Sequence, residues 1–591
     1  VNTNINSMME EYLSRVNEHE NANENFSNSG MQADIAGKIM AEDYIKASPI
    51  RHLHEERLVH IHDAKGGRFL PYCCGLSLSK LLTIGLANPA GSSSKPAKHF
   101  DTAMSHIGNM MGISQQEFSG AQAFSSVDTY ISPFIRYDGL NYKEVKQAWQ
   151  QVIYDLNFPR REGYQTIFGN FSFDVTCPEL LKDEHVIRGG EMQPETYSEF
   201  QPEMDMFNLA FLDVMMDGDQ FGKPFSFPIP TYYITKDTEW DSPVVNRIFD
   251  LTAKFGLPYF SNSVGTGRSP SEVRSQCCRL SLDMVEIQQL FDTLGRGIWD
   301  IGESTGSIAV TTINMAQVGY RCRGAQDKEG AFIEMIDDLL KEIKAHHIWK
   351  RENVEWGLAN GLFPFTQNYM SNFITYFSTV CPVGMNEGCL NLFGKPIYEC
   401  EDFVVNVLKH IRAKLWDFCV ETGFLWNLEE APAEGISHSL AKWDRDHYPN
   451  CYVQGSGDGV YYTNSTHCAV DSGLSIVDEI RCQEKFKCIY NGGVLLHLFI
   501  GEGSPDPVGV KDLIKNICVN TTIPYLAFTK SYAICDSCGM TSDLTGICPK
   551  CGDATDVFSR VTGYYRATRK YSDGKKAEFE ARTQHDVRDF S

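Results

Sequence analysis

A chain of 591 residues with 42% hydrophobic content can bury one large core with satellites. Its net charge of −23 and isoelectric point near 5.2 exclude a non-specific nucleic-acid binder, because neutralising a phosphate backbone takes clustered Lys and Arg. The first residues are polar and uncharged, unlike a signal peptide, and no apolar run approaches the ~18 residues of a membrane span, so most of the 19 cysteines are expected as thiols in a reducing, cytoplasmic compartment.

Residues 1–32 are polar, helical in part, and loop-like across 21–30. From Ala33 to Ala47 apolar residues recur at helical spacing (Ile35, Ile39, Met40, Tyr44). Short β-rich runs follow at 225–230 and 307–313, long amphipathic helices at 330–348 and 402–421, and another strand at Val494–Ile500. Strands alternating with helical stretches predict an α/β architecture. With no internal repeat and no low-complexity linker, the economical division is an N-terminal segment (1–32), one catalytic domain (33–530), a metal-binding knuckle (531–555), and a loop with a C-terminal tail (556–591).

The knuckle is Cys535-Asp-Ser-Cys538 and Cys548-Pro-Lys-Cys551, two CxxC pairs separated by nine residues. Each pair holds two thiolates on one tight turn, so the four suit a tetrahedral Zn²⁺, and four thiolates leave no position open for substrate, which makes the metal structural. A zinc-ribbon interaction protein without catalysis would carry the same knuckle. Here it lacks a basic helix and its neighbours Asp536, Asp543, Asp553 and Asp556 are acidic.

A few residues on stands Ser559-Arg560-Val561-Thr562-Gly563-Tyr564-Tyr565. Arg-Val-Thr-Gly-Tyr-Tyr near a C-terminus resembles the radical loop of glycyl radical enzymes, and knuckle plus loop together are similar to the anaerobic (class III) ribonucleotide reductases. A radical at Cα is stabilised when it lies coplanar with both flanking peptide groups, and a Cβ would crowd that flat centre. An isolated glycine would read as a turn former; the context makes Gly563 the expected radical site.

The resemblance covers about residues 20–585. It implies a ten-stranded α/β barrel built from two five-stranded halves, in a homodimer. It places the thiyl-forming cysteine shortly after a His-x-His-Asp segment, here His60-Ile-His62-Asp63, and so at Cys73 of Cys73-Cys74-Gly75; Cys74 would face the other side of a strand. His60 and His62 themselves read equally well as core histidines satisfied by backbone hydrogen bonds and stay outside the catalytic set. The family's Cys-Arg pair aligns with Cys278-Arg279, making Cys278 the second thiol, on a loop that enters the barrel. Asn314 matches the position where formate-using members carry an Asn, although an Asn at a strand end is also a common turn former or cap. Further matching blocks lie at 118–128, 171–178, 383–387, 431–435 and 462–467, and the glycine in Val383-Gly-Met-Asn-Glu387 suggests backbone amides near a nucleotide. Many members begin with an ATP-binding regulatory domain; nothing similar precedes Asn21 here, so residues 1–32 read as a remnant after such a domain or as the start of a chain without it.

The implied reaction is anaerobic reduction of ribonucleoside triphosphates to 2′-deoxyribonucleoside triphosphates, with nucleotide effectors (dNTP or ATP), a radical-SAM activase acting on Gly563, and formate as co-substrate. A thioredoxin- or glutaredoxin-coupled enzyme using Cys73 and Cys278 as a dithiol remains open. The rivals are another glycyl radical enzyme, an acyltransferase or dehydratase, and the non-catalytic zinc ribbon.

Overall fold

The computed structural model describes the chain except residues 1–4, 15–26, 89–90, 160–165, 268–272, 277–279, 284–303, 371, 431–432, 502–504, 536, 540, 543–545, 562 and 586–591; of 273–276 and 280–283 the backbone alone is described. Ten strands form one continuous path: β1 (Cys73–Leu76), β2 (Gln122–Phe124), β3 (Gly169–Phe173), β4 (Ile229–Ile234), β5 (Tyr259–Asn262), β6 (Gly306–Asn314), β7 (Tyr376–Val383), β8 (Leu425–Leu428), β9 (Leu496–Ile500) and β10 (Tyr525–Lys530). Their order is β8-β7-β6-β1-β2-β3-β4-β5-β10-β9, and the short strand Val59–Ile61 pairs with β6 off this path.

Strands β1 to β5 are mutually parallel. So are β6, β7 and β8, and so are β9 and β10. The two halves meet through antiparallel pairs, β1 with β6 and β5 with β10. This is the expected arrangement of five plus five. Strands β8 and β9, at the ends of the path, are joined by a loop: Gly492 N–H donates to the Leu428 carbonyl and Glu430 N–H to the Gly493 carbonyl, at 2.9 and 2.8 Å. Asn491 Oδ1 accepts from Leu428 N–H at 2.9 Å.

Helices cover the outside of both halves, as parallel strands buried on both faces require. One core packs helices Phe100–Ser114, Tyr142–Asn157, Gln201–Asp217 and Pro243–Phe255 on the first half, and a second packs Lys328–Ala359 and Glu401–Thr422 on the other. Both long helices contain the stretches whose apolar spacing predicted them. The helix expected from Ala33 starts earlier, at Asn28, because Ser27 Oγ caps Gly30 N–H at 2.9 Å. The run at 225–230 is strand only from Ile229: Pro228 has no N–H to give a ladder. No described helix is long and apolar enough to cross a membrane.

Beyond the barrel, strands β11 (Tyr532–Cys535), β12 (Thr541–Ser542), β13 (Thr555–Arg560) and β14 (Tyr565–Ala567) make a small antiparallel sheet in the order β12-β11-β13-β14.

Candidate active site

Alternation along β1 separates the two adjacent cysteines. Cys74 is fully buried in the core between sheet and helices, where burial pushes its thiol far up, helped by Cys73 and Glu117. Cys73 faces the other way, packed with Ala121, Tyr72 and Phe168 inside the barrel, and its Sγ accepts Ala121 N–H at 3.3 Å. The backbones on either side come unusually close. A Cβ on Gly120 would lie 2.4 Å from Cys73 Sγ, and one on Gly306 would lie 2.0 Å from the Cys73 carbonyl oxygen. Only glycine fits at either position, so Cys73 is clasped between them.

Gly563 sits at the tip of the β13–β14 hairpin, which pairs Arg560 with Tyr565 and closes with Val561 N–H on the Tyr564 carbonyl at 3.0 Å. The tip is buried. The Tyr259 hydroxyl, on β5, donates to the Gly563 carbonyl at 2.5 Å, and its ring stacks on Tyr525, whose hydroxyl is 2.6 Å from Thr231 Oγ1. Phe168 joins the two ends of the site: it packs against Cys73 and lies edge-on to Tyr564, with ring centroids 6.2 Å apart. Radical glycine and thiyl cysteine candidates are therefore brought to one interior face, where a single aromatic side chain bridges Cys73 and the hairpin tip.

Three anchors hold the hairpin. Arg560, 1% exposed, donates to the Gly256 carbonyl and lies over the rings of Tyr259 and Tyr565 at 4.2 and 5.0 Å, so its buried charge is compensated by an acceptor and two π faces. Arg582, from the tail, donates to the Arg560 carbonyl at 3.2 Å and to Glu578 at 3.1 Å. Glu434 accepts from the Tyr564 hydroxyl at 3.1 Å and from Arg566 at 3.4 Å; burial pushes its carboxyl up, and Arg566 and Lys575 oppose that.

At the far end of β13, the Sγ atoms of Cys535, Cys538, Cys548 and Cys551 lie within 4.8 Å of one another. Cys535 and Cys551 are 3.4 Å apart and Cys538 and Cys548 3.6 Å. Zn–S bonds of about 2.3 Å in a tetrahedron put sulfurs about 3.8 Å apart, so this donor set fits a zinc ion. Lys550 N–H donates to Cys548 Sγ at 3.4 Å, the kind of bond that stabilises a thiolate.

Asn314 acts as a helix cap in the structure. Its Oδ1 caps the helix Met315–Cys322 by accepting Gln317 N–H at 3.2 Å, and its Nδ2 donates to the Arg57 carbonyl at 3.1 Å and to Asp444 at 2.7 Å. The amide is occupied by these bonds, and Asn314 ends β6, seven residues beyond Ser307, the partner of Cys73. Seven residues of strand are roughly 23 Å, so the structure gives no support to contact between Asn314 and a substrate at Cys73. Cys278 lies outside the described residues; the strands Val273–Gln276 and Leu280–Asp283 that flank it pair with each other, and the first lies against β2, the neighbour of β1. The amides of Gly384 and Met385, suggested for a nucleotide, already donate to the Thr463 and Ser465 carbonyls.

His60 and His62 are half-buried. Burial holds the His62 imidazole down to about 4, with His54 adding to the effect, and its Nε2 is 2.7 Å from Thr312 Oγ1. Sequence reasoning missed Phe168, Tyr259 and Glu434. Glu434 lies within the matching block 431–435, so a signal for it existed; Tyr259 and Phe168 had none, because only the barrel's closure brings them to residues 563 and 564.

A family model described as anaerobic ribonucleoside-triphosphate reductase matches residues 20–585. The chain belongs to that family. Curated relatives are the anaerobic ribonucleoside-triphosphate reductases of Escherichia coli K12, 21% identical with 96% of this chain and 83% of the relative aligned, and of Enterobacteria phage T4, 22% identical with 96% and 97% aligned. Among solved structures, an anaerobic ribonucleotide reductase superposes with TM-score 0.77 at 20% identity, covering 98% of this chain and 93% of that one. The Thermotoga maritima anaerobic ribonucleotide reductase in complex with dATP and CTP gives 0.74 at 19% identity, covering 98% and 94%. At such identities the superpositions establish the fold.

Proposed function

We propose that this protein reduces ribonucleoside triphosphates to 2′-deoxyribonucleoside triphosphates with a radical stored on Gly563 and relayed by Cys73. The observation that carries the reading is that Tyr564, next to Gly563, packs on the same aromatic, Phe168, that packs on Cys73. A radical-SAM activase removes a hydrogen atom from Gly563. The glycyl radical takes the S–H hydrogen of Cys73, and the thiyl so formed abstracts the ribose 3′-hydrogen. The 2′-hydroxyl leaves as water, Cys278 supplies a hydrogen, and formate provides the remaining reducing equivalents and leaves as CO₂. In sum, one ribonucleotide, one formate and one proton give one deoxyribonucleotide, CO₂ and water. The barrel's contribution is positioning and exclusion of solvent from the radicals. The enzyme acts as a homodimer under nucleotide effectors, and the T. maritima structure with dATP and CTP supports nucleotide binding by the fold.

The test is anaerobic activation followed by nucleotide reduction with labelled formate. Labelled CO₂ should appear in step with deoxynucleotide. Multiple turnovers with a dithiol and no formate would replace the reductant and keep the reductase reading; a glycyl doublet with no nucleotide reduction under either condition would sink it.

Zinc in the four-cysteine cluster would fix the root of β13 and so the path of the hairpin. Purified protein should hold close to one zinc per chain, and Cys548→Ser should release it and lower the yield of glycyl radical severalfold. Full metal retention in the variant, measured by elemental analysis, would show that the four thiols do not share one ion.

A further inference from the structure

Asn427, on β8, is fully buried, and neither its side-chain Nδ2 nor its Oδ1 has a hydrogen-bonding partner. Buried amides are almost always paired, and a wholly unpaired one is costly, so this amide is held ready for something that arrives. Its direction follows from the sheet. Asn427 pairs with Thr379, the Thr379 hydroxyl is 3.0 Å from that of Ser307, and Ser307 pairs with Cys73. Paired residues share a face, so Asn427 points into the barrel on the side of Cys73. The adjoining loop packs closely on it: Gly492 stands beside the amide, where a Cβ would come within 2.8 Å of Nδ2, so only glycine fits there.

The chemistry of this amide selects its ligand. With both ends unpaired, it needs a partner that accepts and donates side by side. Ionised phosphates and formate accept only and would leave Oδ1 unpaired against negative charge. Ribose hydroxyls can do both, but the ribose must lie at Cys73, and three strand spacings of about 4.8 Å put Asn427 roughly 14 Å along the sheet from it. A nucleobase edge meets both conditions, and each of the four bases presents a donor next to an acceptor. We propose that Asn427 holds the base of the ribonucleotide through its amide, turning over to suit the edge presented. This rests on the reductase reading above and names the part of the substrate that Asn427 holds.

The test compares Asn427→Ala and Asn427→Leu with the unaltered enzyme. Equilibrium binding of each ribonucleoside triphosphate to the unactivated full chain should weaken about tenfold in both variants. Binding of ribose 5-triphosphate, which has no base, should not change. KM for the ribonucleotides should rise to match, with KM for formate and the yield of the glycyl doublet as in the unaltered enzyme; the doublet also shows that the variants fold. Equal weakening for nucleotide and baseless analogue, or no weakening for either, would overturn the proposal. Should the unaltered enzyme bind and reduce no ribonucleotide, the reductase reading fails; should it do so while both variants match it, only the role of Asn427 fails.

Discussion

Cys73→Ser should accept the glycyl radical at the normal yield and form no deoxynucleotide, a loss of at least several orders of magnitude. In the proposed mechanism storage depends on Gly563 and the activase, whereas turnover depends on a thiol whose S–H bond can exchange hydrogen with both the glycyl centre and a ribose carbon; a serine O–H bond is too strong for that exchange. The substitution is nearly isosteric, so the pinch between Gly120 and Gly306 is preserved and the barrel should fold. Cys74→Ser is the internal comparison. Its side chain points away from the interior into the apolar core, so the cost should fall on stability, about 1–3 kcal/mol for a hydroxyl buried without a designed partner, with catalysis largely kept. Electron paramagnetic resonance and product assays on the same samples separate the two effects. Exchanged phenotypes would shift the thiyl to Cys74.

Exposure of activated enzyme to air should cut the chain at Gly563 and abolish activity permanently. Dioxygen adds to a carbon-centred radical, and the resulting peroxyl leads to backbone fragmentation. Mass spectrometry should find a C-terminal piece beginning near Tyr564, in an amount matching the glycyl doublet measured before exposure. Unactivated protein should stay intact in the same air, and Gly563→Ala should stay intact after the activation treatment because it stores no radical. A radical-bearing sample that survives air uncut would remove the radical from Gly563.

Features carried by contiguous residues are legible in the amino-acid sequence. The metal cluster is legible because CxxC holds two sulfurs on one turn whatever surrounds it, and the long helices because apolar spacing at 330–348 and 402–421 extends over several turns. That Cys73 and Cys74 face opposite sides of β1 is legible from strand alternation. Asn314 shows the limit: both a substrate contact and a helix cap are consistent with Asn at a strand end, and the decision lies with Asp444, far away in sequence but 2.7 Å away in space. Tyr259 and Asn427 are less visible still. Their roles come from which strands adjoin across the barrel, and local residue patterns carry no trace of that pairing.

The antiparallel joint between β1 and β6 has a consequence for how the enzyme comes into being. Cys73 sits on that joint, paired with Ser307, so its setting is shared between two halves of the chain that are made at different times. Bringing such distant segments together costs loop-closure entropy before the new contacts offset it, which makes this a late event in folding. An early chain, with its first five strands in place, would expose the thiol but lack Ser307, the Gly306 clasp and the hairpin that carries Gly563. Assembly thus acts as a proofreading step: the pieces of the proposed radical relay meet only once the second half has closed on the first.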